Sequence, residues 1–149
     1  MNRESEPHSR NVLRGAENAA RGRWGEDVAA RRLAAVGWVE IARNVRPCAS
    51  DHRCEIDLIV RSRDRRTIVF VEVKTHARHS TRASRLWMIS RRKKALLLRA
   101  CTNWILRNKW HGGFRFDVVE VYGSPHDANP PEVDHVENVH LFPPKWRFW

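Results

Sequence analysis

The chain has 149 residues, 42% of them apolar, and 28 Lys and Arg against 17 Asp and Glu, a formal charge of +11. That is one domain's worth of chain with material for a core, and no apolar stretch nears the roughly 20 residues of a membrane span. A charged start without an apolar h-region argues against a secretory signal, and three cysteines (Cys48, Cys54, Cys101) argue against a disulfide framework, so a cytoplasmic protein is expected.

Residues 1–22 read as a flexible N-terminal segment, 23–141 as the domain and 142–149 as a tail. A helical pattern is clearest where Trp24, Val28, Leu33 and Val36 recur among alanines, and Gly37 stops it. Trp38 to Asn44 reads as a strand, followed by a polar loop containing Pro47. Two acidic strands come next, about Cys54 to Arg61 and Thr67 to Thr75, joined by a polar hairpin loop. His76 to Trp87 has neither period and reads as a loop. Ser90 suits the N-cap of a helix from about Arg91 to Lys109, with Leu96, Leu97, Ala100, Cys101, Trp104 and Ile105 on its buried stripe. Gly112-Gly113 breaks the chain, Phe114 to Tyr122 is a further strand, and Val133 to Leu141 a short edge strand. The order predicts an α/β fold with a mixed sheet.

The two acidic strands carry the chemistry. Glu55-Ile56-Asp57-Leu58-Ile59-Val60 and Val69-Phe70-Val71-Glu72-Val73-Lys74 set ionisable groups in apolar runs, where bare charge is costly unless paired or bound to metal. Side chains alternate faces along a strand, so Glu55 and Asp57 share one face, and Glu72 and Lys74 share one face. Folding the chain about Asp64 brings Asp57 opposite Val71 or Glu72. Two carboxylates and a lysine then converge, which suits Mg²⁺, a hard cation needing only one or two carboxylates and replaceable by Mn²⁺. Asp57 and Glu72 are the expected ligands, with the backbone carbonyl of Val73 as a third. Lys74 would orient the attacking water or stabilise transition-state charge. Such a site hydrolyses phosphodiesters. Cys48, His52 and Cys54 lack the second close ligand pair of a zinc finger.

Charge points to the same substrate. From Val73 to Phe116 there is no Asp or Glu but twelve Lys or Arg. A basic block beside a carboxylate cluster suits nucleic acid. Arg82, Arg85, Arg91, Arg92, Lys93 and Lys94 are the expected phosphate contacts, Lys93 on the same helical stripe as Leu97, Ala100 and Trp104. The rival is a nucleic-acid-binding module that keeps the fold without turnover.

With these motifs in order, the sequence closely resembles the YraN family of small bacterial proteins, described as predicted endonucleases. These belong to the PD-(D/E)xK restriction-endonuclease-like superfamily and are similar to archaeal Holliday-junction resolvases. The matching residues are Gly25-Glu26 with Ala29, Ala30, Leu33 and Gly37; Arg43-Asn44; Glu55 to Ile59; Phe70 to Thr75; Lys93; and Arg115 to Val119. Cys54 stands where relatives commonly carry glycine. The resemblance implies a restriction-endonuclease-like mixed β-sheet flanked by helices, with Asp57, Glu72 and Lys74 as catalytic core and Glu26 reaching the metal from the first helix. Asp117 would be structural, pairing with an arginine. The expected activity is Mg²⁺-dependent cleavage of DNA, branched or otherwise structured. A two-fold dimer would suit that task, presenting two symmetric sites to opposed strands.

Overall fold

A computed structural model of the chain describes residues 6–78, 89–144 and 146. The element order is α1 (Glu6–Ala35), β1 (Val39–Val45), β2 (Ile56–Arg61), β3 (Thr67–His76), α2 (Arg91–Arg107), β4 (Gly113–Tyr122) and β5 (Glu132–Val136). The five strands form one sheet in the order β1-β2-β3-β4-β5, antiparallel except for the parallel pair β3–β4. A parallel neighbour needs a crossover, and α2 lies within it. The sheet is therefore mixed and flanked by helices, as the α/β reading requires.

Each helix covers one face. Val28, Ala29, Ala30 and Leu33 of α1 pack on Leu58, Val60, Val69, Val71, Val119 and Val121. Leu97, Ala100, Cys101, Trp104 and Ile105 of α2 pack on Ile59, Ile68, Phe70, Phe116 and Val118. The alternation Ile68/Phe70 against Val69/Val71 divides β3 between the two cores, as period 2 dictates for a strand buried on both sides.

The ends of elements follow local chemistry. Gly37, at φ +86, closes α1: its N–H donates to Ala34 O (2.9 Å) and that of Trp38 to Leu33 O (3.1 Å), a pair of bonds that ties off the last carbonyls. Val36, placed on the buried stripe by periodicity, sits at this turn and is exposed. Ser90 caps α2, its side chain accepting from Lys93 N (3.1 Å). β5 ends at Val136 rather than near Leu141. Asn138 takes a positive φ of 54, and the next N–H, that of Val139, turns back to Phe116 O (2.7 Å).

At the N-terminus, α1 begins at Glu6 and runs without a break to Ala35, so it starts well before the apolar repeat that marks it in the sequence. Residues 10–20 are exposed. Their side chains bury nothing, so no apolar stripe marks this half of the helix in the sequence.

Candidate metal centre

β2 and β3 build the site between them. Leu58 pairs with Val71, so one further step of the antiparallel ladder sets Asp57 opposite Glu72. Directly opposed residues share a face. Here the ladder stops being backbone-to-backbone: Asp57 Oδ2 accepts the N–H of Val73 at 2.8 Å. A strand residue's N–H and C=O point to the same side, so the Val73 carbonyl is directed toward Asp57 as well.

Glu72 is 3% exposed. Its Oε1 receives Lys74 Nζ at 2.8 Å and Lys93 Nζ, from the first turn of α2, at 3.5 Å. Its Oε2 is buried and has no hydrogen-bond partner among the described residues. A buried carboxylate oxygen left open costs free energy unless something fills the place. Burial pushes Asp57 up to about 7, helped next by the nearby charge of Glu72. Two hard oxygen donors that repel each other this strongly, beside an open lone pair, fit a divalent cation such as Mg²⁺ or Mn²⁺.

Glu26 approaches from α1. Its carboxyl is raised above the usual range, first by burial and then by Glu55, and its charge in turn contributes to the rise at Asp57. Asn44, at the end of β1 with φ +48, donates Nδ2 to Glu26 Oε2 (3.1 Å). Arg43 ties Asp27 of α1 to Glu40 of β1, which holds this edge of the helix against the sheet. Asn44 and Glu55 are the neighbours that the sequence reading left without a role. Glu55 lies just before β2 and pairs with Arg46 (2.6 Å). For Asn44 the sequence signal is the Arg43-Asn44 dipeptide.

The basic residues divide. Lys93 turns inward to Glu72, as its place on the helical stripe predicts. Lys94 is half-buried, and Arg91 and Arg92 are exposed. Arg82 and Arg85 lie outside the described residues. Thus α2 opens with Arg91, Arg92, Lys93 and Lys94 and no acid in its first turn. This places four cations at the positive end of a helix dipole, an arrangement that costs stability and that a bound anion would relieve.

Two rival clusters are structural. Asp117, His135 and Glu137 bring ligand atoms within 4.8 Å of one another. The guanidinium of Arg115 already lies 3.0 Å from both carboxylates, and Asp117 also accepts from His135 Nε2 (2.8 Å) and Asn138 N (2.8 Å). A cation thus sits in the group, stacked over Trp38. Asp117 pairs with an arginine, as the sequence suggested. Cys48 and Cys54 are buried in the α2-side core while His52 is exposed, and burial pushes the Cys54 thiol up to about 11.

Comparison with known proteins places this arrangement in a family. A model of the uncharacterised protein family UPF0102 matches residues 25–121, from Gly25 in α1 to Val121 in β4. A UPF0102 protein of Rhodopirellula baltica is 39% identical over 126 residues, covering 83% of this chain and 71% of its own. One from Frankia casuarinae is 40% identical over 122 residues, 80% of this chain and 95% of its own. A third, from Pelobacter propionicus, is 30% identical over 124 residues, 83% of this chain and 84% of its own. The chain belongs to the UPF0102 (YraN) family.

Proposed function

We propose that this protein is a metal-dependent endonuclease hydrolysing phosphodiester bonds of DNA, with branched or structured DNA as the substrate. One observation carries the reading. A buried Glu72 oxygen has no hydrogen-bond partner among the described residues, its carboxylate is close enough to Asp57 to raise it, and Lys74 lies against its other oxygen. Asp57, Glu72 and the Val73 carbonyl would hold Mg²⁺ or Mn²⁺, with Glu26 behind them. Once bound, such an ion supplies Lewis-acid charge at the scissile phosphate and an activated water.

The chain's own groups do the rest. Glu72 holds the Lys74 ammonium at 2.8 Å, beside the place where charge develops on the phosphate. Lys93, at 3.5 Å from the same carboxylate, would offer its ammonium to a substrate phosphate beside it. Arg91, Arg92 and Lys94 extend the positive field along the helix start, where backbone N–H groups and side chains together attract phosphates. Arg82 and Arg85 belong to the same proposal from the sequence alone.

The test uses linear, nicked, flapped and four-way-junction DNA with Mg²⁺ or Mn²⁺. Wild type should cut at least one, and Asp57→Ala should cut none. Equal cleavage by both proteins, or none by wild type, removes the enzyme. Binding without cleavage or metal uptake would leave a nucleic-acid-binding module with a nuclease-like fold. Light scattering of the DNA complex tests the two-fold dimer proposed with this activity, and a monomer on a junction counts against it.

A further inference from the structure

The row of polar side chains on β3 does not end at Lys74. Two residues on, His76 projects from the same face, and the parallel register sets Glu72, Lys74 and His76 beside Val118, Glu120 and Tyr122. Glu120 is only 7% exposed. Its two oxygens are taken separately, Oε1 by His76 Nε2 (3.2 Å) and Oε2 by the Tyr122 hydroxyl (3.2 Å). The tyrosine ring also stacks on the imidazole, with centroids 5.1 Å apart and planes at 28°. The imidazole is thus clamped on one edge and one face.

The clamp leaves something over. The His76 side chain keeps 19% of its surface in solvent, and its contact with Glu120 is made through Nε2, not Nδ1. Strand geometry places His76 about 6.6 Å beyond Lys74, close to the spacing of successive phosphates on one nucleic-acid strand. An imidazole donating from Nε2 to a carboxylate and from Nδ1 to a phosphate is the cationic form, which suits a polyanion. Glu120 and Tyr122 of β4 touch the ring, and Lys74 precedes it on its own strand.

We infer that His76 is a further phosphate-binding side chain, holding the substrate backbone next to the scissile group, with Glu120 and Tyr122 as its positioning residues. This rests on the nuclease reading and assigns it a subsite. The site is built for a phosphodiester backbone rather than a base, since it offers one fixed donor at the open end of a row of cations and carboxylates.

The experiment measures DNA affinity against salt in the full chain carrying Asp57→Asn, which removes cleavage. Adding His76→Ala should reduce the slope of log affinity on log salt by about 0.9, the share of one phosphate on a duplex. His76→Arg should restore it, because a permanent cation replaces the ring. Tyr122→Phe should give a smaller loss, with the ring less firmly held. A slope unchanged by His76→Ala overturns the subsite while leaving the nuclease reading intact. A loss that arginine does not restore means that His76 only holds the fold, and also overturns it. If the Asp57→Asn protein keeps its fold but binds no DNA, the nuclease reading fails and the subsite falls with it.

Discussion

At Asp57, burial and Glu72 both resist ionisation, and the consequence has a measurable sign. In the unfolded chain an aspartate titrates near about 4, whereas in the metal-free fold Asp57 does so at about 7. Between those values the folded chain keeps a proton that the unfolded chain has lost. Stability therefore falls as pH rises through that window and stays lower above it. Asp57→Asn cannot ionise and escapes the penalty. In chelator, wild type should lose on the order of 1–3 kcal/mol between pH 5 and 8 relative to Asp57→Asn, measured by thermal unfolding. Parallel pH profiles would show that Asp57 is not held protonated. The same substitution should abolish metal uptake, so the site gains stability by losing its chemistry.

The elements hold two further expectations. Gly25 lies where α1 crosses β3, and a Cβ there would meet Thr75 Oγ1 at 2.0 Å and Thr75 Cβ at 3.3 Å. Turning the threonine away means leaving its χ1 rotamer, which is restricted for a β-branched residue, and its Cβ stays at 3.3 Å. Gly25→Ala should therefore destabilise by about 1–3 kcal/mol despite the better helix propensity of alanine. Adding Thr75→Ala should recover most of the loss, and urea unfolding of the double-mutant cycle would show it. No coupling between the two positions would mean that helix and strand are farther apart than the structure has them. At the start of α2 the balance is reversed. Arg91→Gln with Arg92→Gln should stabilise the chain by roughly 0.3–1 kcal/mol per charge, since cations oppose the dipole there. The pair should also weaken DNA binding and lower its salt slope by up to about 1.8. A variant that is more stable but binds DNA with unchanged slope would take Arg91 and Arg92 out of the interface.

For the whole molecule, metal, pH and folding are one linked equilibrium. Mg²⁺ at about one hundred times its Kd should stabilise the fold by about 2.7 kcal/mol, or roughly 5–11 °C in Tm for a chain of this size. The gain should be larger at pH 8 than at pH 5, because protonated Asp57 competes with the ion. Glu72→Gln should erase it, and a shift that survives that change would place the ion elsewhere.

Much of this centre is legible in the sequence, and the reason is locality. Asp57 and Glu72 belong to one hairpin, so counting from the turn and alternating faces brings them together, and Lys74 follows on the same strand. The Ser90 cap and the stripe of α2 are equally local. Residues that meet through the crossover are another matter. The parallel register of β3 on β4 is set by how α2 packs, and only that register joins His76 to Glu120 and Tyr122. Asp117 likewise meets its partners in β5 and beyond only because β5 folds back on β4. The exposed half of α1 buries nothing and so leaves no periodic trace. What the amino-acid order determined by itself was the set of elements, the hairpin that pairs two acids, and the family. Tertiary packing alone decided the burial that raises Asp57, the Glu72 oxygen left open, and the approach of Glu26, because desolvation and charge proximity depend on which distant segments close over a strand.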